Sequence, residues 1–189
     1  FRRWTRRIEG EVSVDDPLRM AGLYDPARSE LWRLFQEAFN LLPIASRRLW
    51  ILSAGLGLVS GDDRAPKSGY SATFTPPGQR PSPDYVGRDP QDWWNLLTEW
   101  HTDCFDHARS IHELYATLND GDVLALACSG NYFRAIHDDL RDIHPQDIRP
   151  LILAGTESAI RSVPMNVRER AFGFQWHGAA DTAPGEIAV

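Results

Sequence analysis

Two glycine-bearing turns carry the residues best suited to hold a ligand. One runs from Ser53 to Gly57 and the other from Ser129 to Tyr132, and each follows a short apolar stretch. Glycine lets a ligand approach the backbone closely, and ligands of open α/β sheets bind beyond the carboxyl ends of the strands. The turns therefore predict two walls of one pocket, although ordinary tight strand–helix turns would have the same composition. The binding candidates are Gly55, Gly57, Ser129, Asn131 and Tyr132.

A long stretch between residues 54 and 88 is rich in glycine, proline, serine and aspartate. A loop of this length in a compact domain is usually functional or mobile, so it is a candidate lid over a substrate. Asp62 and Asp63 are the candidates to activate water or to stabilise a cationic sugar, and Ser53 is the third catalytic candidate. Tyr70 is expected to stack on a substrate or to hydrogen-bond to it, unless its ring only pins a solvated loop to the core.

The segment from His101 to His107 contains metal-ligand residue types, but their spacing argues against a metal site. Cys104 belongs to an apolar helical stripe, whereas His101 and Asp103 point elsewhere, and no second His/Cys group has ligand spacing. The sequence also lacks the common phosphate-binding and nucleophile motifs. We therefore predict no metal and no cofactor.

The elements that must position these residues follow from hydrophobic periodicity. Apolar residues at helical spacing predict helices over 27–42, 90–118 and 131–143, the first two with an aspartate cap followed by proline. Short apolar runs predict buried strands over 49–53, 123–128 and 151–154. This order predicts an α/β fold, a single domain with a small, mostly parallel sheet flanked by helices. We expect a basic arm over 1–22, the α/β domain over 23–175 and a loose tail over 176–189.

Composition and charge limit the function classes. The chain has 189 residues with a net charge of −6, and a general electrostatic binder of nucleic acid would be basic. Four arginines nevertheless crowd the first seven positions around Trp4, as in nucleic-acid arms or in a short solubilising tail. Two cysteines in apolar patterns and apolar runs too short for a bilayer predict a cytoplasmic protein.

Several motifs in this order resemble the YaaA-like superfamily, which includes a bacterial peroxide-stress family and uncharacterised bacterial and phage domains. The stretch 52–59, followed by Asp62 and by 70–74, is similar to the serine–glycine strand-loop motif of that superfamily. The stretch 123–133 is similar to its second signature, a hydrophobic strand ending near Tyr132. Further similarities are the Leu-Tyr pair at 23–24 before a helix, the Trp-Trp pair at 93–94 and the Arg-Pro pair at 149–150.

This resemblance implies DNA binding and kinship with nucleobase-handling enzymes such as DNA glycosylases. Our first hypothesis is a nucleic-acid-acting domain of stress or phage defence. It would bind DNA, or a flipped nucleobase or nucleotide, at the strand ends. If it is an enzyme, its chemistry would be glycosylase-like. The acidic net charge favours an alternative, an enzyme acting on a free nucleotide-like metabolite. The lysine-bearing opening strand of the family is not found, which favours a third reading, a non-catalytic subunit with protein partners in a larger defence or stress complex.

Overall fold

Helices and short strands alternate along the chain in a computed structural model that describes residues 1–12, 18–23, 30–43, 45, 47–67, 72–74, 89–144 and 149–175. The protein is a mixed α/β protein, as predicted. Its described strands form two sheets, an antiparallel pair and a parallel triple, where the sequence predicted one mostly parallel sheet. Where we expected a single domain, the chain divides into two compact units, 1–111 and 112–189.

The N-terminal unit contains four helices and a hairpin among its described residues. They are α1 (Arg2–Glu11), α2 (Met20–Leu23), α3 (Glu30–Leu41), β1 (Trp50–Ser53), β2 (Gly57–Ser60) and α4 (Pro90–Thr98).

A further helix starts at the boundary, and the C-terminal unit continues from it with alternating strands and helices. These elements are α5 (Ile111–Ala116), β3 (Leu124–Ala127), α6 (Gly130–Ala135), α7 (His137–Arg141), β4 (Leu151–Gly155), α8 (Glu157–Arg161), α9 (Met165–Arg168) and β5 (Phe172–Gln175). Every helix within these described parts is too short or too polar to cross a membrane.

The first predicted strand is one arm of a hairpin and not a strand of a parallel sheet. β1 pairs antiparallel with β2, from Trp50 opposite Ser60 to Ser53 opposite Gly57. Gly57 has a φ of 80°, the left-handed conformation that closes a three-residue hairpin loop. The prediction was wrong here because a buried apolar run followed by glycines fits both arrangements.

The long helix predicted over 90–118 is interrupted. Its start is confirmed, since the Asp89 side chain accepts a hydrogen bond from the Gln91 N–H and Pro90 follows the cap. α4 then ends at Thr98, and residues 99–110 run irregularly to α5. Within this irregular segment the backbone N–H of Cys104 donates to Thr102 Oγ1 at 3.3 Å, a local side-chain bond in place of a helical one.

Residues 2–11 of the predicted basic arm form a helix that is packed into the protein. Thr5 and Ile8 of α1 are buried. The predicted helix over 27–42 is described as α3, and its capping residues Asp25 and Pro26 lie outside the described residues. The apolar spacing predicted a buried face for this helix, but Leu41 at its end and Leu42 just after it are 86% and 53% exposed.

The C-terminal unit has the predicted parallel architecture. β3, β4 and β5 lie in sequence order and are parallel, with α6–α7 and α8–α9 as the two connections. β3, β4 and the helix after Ser129 were predicted, whereas β5 was missed because its Phe-Gly-Phe-Gln sequence has no buried apolar run. Gly155 ends β4 where a Cβ would lie 2.8 Å from the Cys128 carbonyl oxygen, so only glycine fits there. The apolar residues inside this unit include Leu124, Leu126, Phe133, Ile136, Leu140, Ile143, Leu151 and Leu153.

Candidate functional site

The turn from Ser53 to Gly57, which was predicted to wall a pocket, lies in the core of the N-terminal unit. Ser53 is 1% exposed, and its Oγ accepts hydrogen bonds from the N–H groups of Gly55 and Leu56, both at 3.1 Å. Its hydroxyl is therefore engaged in forming the turn. Gly55 and Gly57 are buried as well, so neither offers a surface that a ligand could approach.

Two indole groups close the outside of this turn. Trp93 Nε1 donates to the Ala54 carbonyl at 2.7 Å, and Trp4 Nε1 donates to the Gly55 carbonyl at 2.6 Å. A buried carbonyl without a partner would cost free energy, so these donors stabilise the buried turn. Side chains from α1 and α4 thus occupy the space that the sequence analysis assigned to a ligand.

Arg109 holds the second strand of the hairpin in the same way. It is 8% exposed, and its guanidinium donates to the carbonyls of Leu56 and Leu58, the latter at 2.7 Å. The guanidinium also lies 4.8 Å from the ring centroid of Phe105 and 6.0 Å from that of Trp100. Carbonyl dipoles and aromatic faces together stabilise this buried charge.

The two candidate carboxylates differ in environment. Asp63 Oδ2 accepts from the Ser60 N–H at 2.7 Å and lies 2.6 Å from His107 Nε2, and both side chains are 16% exposed. The other ring nitrogen of His107 lies 2.8 Å from the Ala108 carbonyl oxygen. Because both nitrogens face acceptors, this pair links the end of β2 to residue 107 and leaves His107 poorly placed as a general base. Asp62, in contrast, is exposed.

A cleft of about 640 Å³, which we call the 100–109 cleft, opens beside this pair. Its volume lies in the range of small-ligand pockets, about 300–1,000 Å³. Trp100 and Phe105 are each 6% exposed and form its apolar floor, with their ring centroids 6.3 Å apart. Three exposed carboxylates, those of Glu9, Asp103 and Asp106, also line the cleft. Arg109, which lines it too, is bound to backbone carbonyls of the hairpin. The cleft is therefore acidic.

The sequence did not predict this cleft. It drew attention to residues 101–107 only as a possible metal site, against which their spacing argued. Among the residues that the structure describes, no group of three or more His, Cys, Asp or Glu side chains could hold a metal ion. Local patterns could not predict the cleft because its two sides are distant in the sequence. Trp100 Nε1 donates to Glu9 Oε1 at 3.0 Å, although these residues are 91 positions apart.

Four exposed arginines, Arg2, Arg3, Arg6 and Arg7, form what we call the α1 arginine face. At 100° per residue they cover one side of α1, and the buried Thr5 and Ile8 lie on the other. Arg7 pairs with Glu11 at 3.1 Å.

The α1 arginine face borders the cleft. Arg2, Arg6 and Glu9 are spaced i, i+4, i+7 and so follow one line along the helix, and Glu9 lines the cleft. The bonds from Trp4 to Gly55 and from Trp100 to Glu9 anchor α1 at two points. A docked helix therefore holds these arginines next to the cleft.

The second predicted wall lies in the C-terminal unit, at the carboxyl ends of β3 and β4. Ser129 is exposed, Tyr132 is half-buried, and Asn131 Oδ1 accepts from Arg134 at 2.6 Å. Both crossovers run in the same direction, so the described strands form no topological switch point, where α/β sheets open a crevice. The two predicted walls belong to different units, and Tyr70 lies outside the described residues.

Comparison of this chain with protein-family models, with curated proteins and with solved structures found no match.

Proposed function

We propose that the N-terminal unit binds nucleic acid through the α1 arginine face. The observation that carries this proposal is the position of four exposed arginines on one side of a helix whose other side is packed into the protein. Guanidinium groups pair with phosphate oxygens through charged, often bidentate hydrogen bonds, which are stronger than neutral ones. A docked helix presents these groups at fixed spacing, so less side-chain and backbone freedom is lost on binding.

The net charge of −6 is compatible with this proposal because four of the 20 basic residues lie within the first seven positions. Acidic surface elsewhere repels phosphate and favours the approach of a strand to the α1 arginine face. The helix rises 1.5 Å per residue, so Arg2 and Arg6 are about 6 Å apart along its axis. That distance allows neighbouring phosphates of one strand to be contacted in succession.

The finer function that we propose follows the resemblance to the YaaA-like superfamily. On this view the chain is a cytoplasmic DNA-binding protein of stress or phage defence. Asp62 remains the candidate for glycosylase-like chemistry, because it is an exposed carboxylate, whereas Asp63 is held by Ser60 and His107. Ser129, Asn131 and Tyr132 remain candidates for a second contact at the carboxyl ends of the parallel strands.

The small-ligand volume and apolar floor of the 100–109 cleft favour a second candidate function, an enzyme that acts on a free nucleotide-like metabolite. Among such compounds, the uncharged nucleosides suit the carboxylates best. Such an enzyme would bind the isolated compound in the cleft with little help from the arginines. Isothermal titration with mononucleotides and nucleosides separates the two, because the metabolite enzyme would bind them more tightly than it binds an oligonucleotide.

Fluorescence anisotropy with labelled single-stranded and duplex oligonucleotides across a salt series tests the first proposal. We expect salt-dependent binding that weakens at least tenfold in the Arg2→Ala/Arg3→Ala/Arg6→Ala variant. Each lost phosphate contact lowers the slope of log K against log salt by about 0.7–0.9, so this variant should lose about two to three in slope.

The matched control removes Arg48, Arg141 and Arg161, three exposed arginines that lie outside α1 and outside the turn at Ser129. Its net charge changes equally, so equal weakening in both variants would mean that overall charge and not the α1 arginine face drives binding. Binding that is absent or independent of salt in the wild-type protein would refute the proposal.

A further inference from the structure

We infer that the 100–109 cleft receives one unstacked nucleobase that carries an exocyclic amino group, in preference to thymine, from a strand held on the α1 arginine face. This inference rests on the proposed function and deepens it, since it names which strands and bases the same unit prefers. It is carried by the acidic lining of the cleft, by its size and by the position of Glu9 on the arginine-bearing helix.

The hydrogen-bonding character of the cleft selects the base. Ionised carboxylates only accept hydrogen bonds, and Glu9, Asp103 and Asp106 supply three of them. The buried cation of the cleft, Arg109, donates through Nη1 and Nη2 to the carbonyls of Leu58 and Leu56. Carboxylates are the commonest polar groups of the lining, which also includes His101 and Thr102, so a ligand with amino donors matches the cleft best.

Bases differ in what they can offer to such a lining. Cytosine N4 and adenine N6 are amino groups, and an acidic side chain is a known acceptor for cytosine N4. Thymine presents carbonyl oxygens on both sides of its single ring N–H, and these would face the carboxylates. Guanine carries an amino group at C2 next to its ring N1–H, so it also offers donors to a carboxylate. The expected order of affinity therefore places the three amino-bearing bases above thymine.

The shape of the cleft selects single strands over duplexes. A volume of about 640 Å³ is large enough for one base with its sugar. A base in a duplex must first leave the stack, which costs free energy that an unpaired strand does not lose. Trp100 and Phe105 are 6% exposed, so they form an apolar floor under the base.

The geometry of α1 connects the two contacts. Glu9 lies three residues beyond Arg6 and seven beyond Arg2 on the same line of the helix. Phosphates flanking the inserted base would therefore lie against the arginines while its amino group reaches the carboxylates. The strand avoids electrostatic repulsion because its anionic backbone stays on the basic side of Glu9.

The experiment compares the affinities of single-stranded homopolymers of deoxycytidine, deoxyadenosine and thymidine of one length, measured by anisotropy. We expect the cytidine and adenosine strands to bind about tenfold more tightly than the thymidine strand, the size of one good base contact. The Asp103→Asn/Asp106→Asn variant should lose this preference, since amides also donate. The matched control, Asp120→Asn/Asp142→Asn, removes two exposed carboxylates from the C-terminal unit and should keep it.

The outcomes separate this inference from the proposed function. Equal affinity for all three homopolymers, with the salt dependence and the arginine effect intact, overturns the inference and leaves the proposed function standing. A base preference that persists unchanged in the Asp103→Asn/Asp106→Asn variant also overturns it. Absence of all oligonucleotide binding refutes both, and circular dichroism confirms that the variants are folded.

Discussion

The two glycine turns have similar sequences and opposite environments. The turn from Ser53 to Gly57 closes a hairpin and is buried under two indoles and a guanidinium. The turn at Ser129 opens at the end of a parallel strand, where the serine is exposed and its glycine starts a helix. Small polar residues after an apolar strand therefore do not distinguish a ligand-binding loop from a buried reverse turn. The side chains that satisfy the turn carbonyls make the difference, and those lie far away in the sequence.

The largest expected effect concerns the arginine beside each turn. Arg109→Met leaves the carbonyls of Leu56 and Leu58 without their guanidinium donors, so we expect a loss of about 3–5 kcal/mol in the free energy of unfolding. Arg134→Met, beside the open turn, should change stability by less than about 0.5 kcal/mol because Arg134 is exposed. Urea denaturation followed by tryptophan fluorescence and circular dichroism measures both. Equal effects would mean that the buried turn does not depend on Arg109.

The glycines should differ next. Gly57→Ala forces a left-handed residue with φ of 80° and places a Cβ 3.3 Å from Leu97 Cβ, which we expect to cost about 1–3 kcal/mol. Gly130→Ala puts its Cβ 3.5 Å from Ala159 Cα, an ordinary contact, and alanine favours the helix by up to about 1 kcal/mol. The two variants should therefore shift the urea midpoint in opposite directions. A stabilised Gly57→Ala would contradict the hairpin geometry.

The serines give a smaller contrast. Ser53→Ala removes the acceptor of two buried N–H groups and should lower the free energy of unfolding by about 1–3 kcal/mol. We expect a value toward the lower end because the turn keeps its backbone hydrogen bonds. Ser129→Ala should be within about 0.5 kcal/mol of the wild type, because its hydroxyl caps no N–H of α6 within the described chain. Thermal unfolding of both variants checks this difference. If Ser53→Ala were neutral, the role of its hydroxyl in the turn would be wrong.

The smallest effect concerns the thiols. Burial raises the pKa of the Cys128 thiol to about 12, so it stays neutral at pH 8, whereas Cys104 is partly exposed. Iodoacetamide should therefore label Cys104 in the folded protein and reach Cys128 only after unfolding, as peptide mapping would reveal. An unfolded thiol ionises at about pH 8.5, whereas the buried one stays neutral up to about pH 12. The contribution of Cys128 to the free energy of unfolding is therefore complete below the first value and is lost as the pH rises toward the second. Equal labelling rates would contradict the buried position.

The parts of the fold that sequence could predict are those with local causes. β3, β4 and the helix after Ser129 follow from adjacent apolar patterns, and the Asp89–Pro90 helix start follows from a local cap. The hairpin could not be distinguished from a parallel strand, because strand direction depends on the partner. The arginines at the start of the chain were visible as a cluster, but their docking through Trp4 to Gly55 spans 51 residues. The cleft was hidden for the same reason.

The double anchoring of α1 has a consequence for how the protein folds. The bonds from Trp4 to Gly55 and from Glu9 to Trp100 join segments 51 and 91 residues apart, so the N-terminal unit gains them only after long stretches of chain have come together. Contacts of high sequence separation slow folding, whereas the strand–helix–strand repeats of the C-terminal unit are built from nearer neighbours. During synthesis the first helix therefore lacks its bond to Gly55 until residue 55 has been made, and its bond to Trp100 until residue 100 has been made.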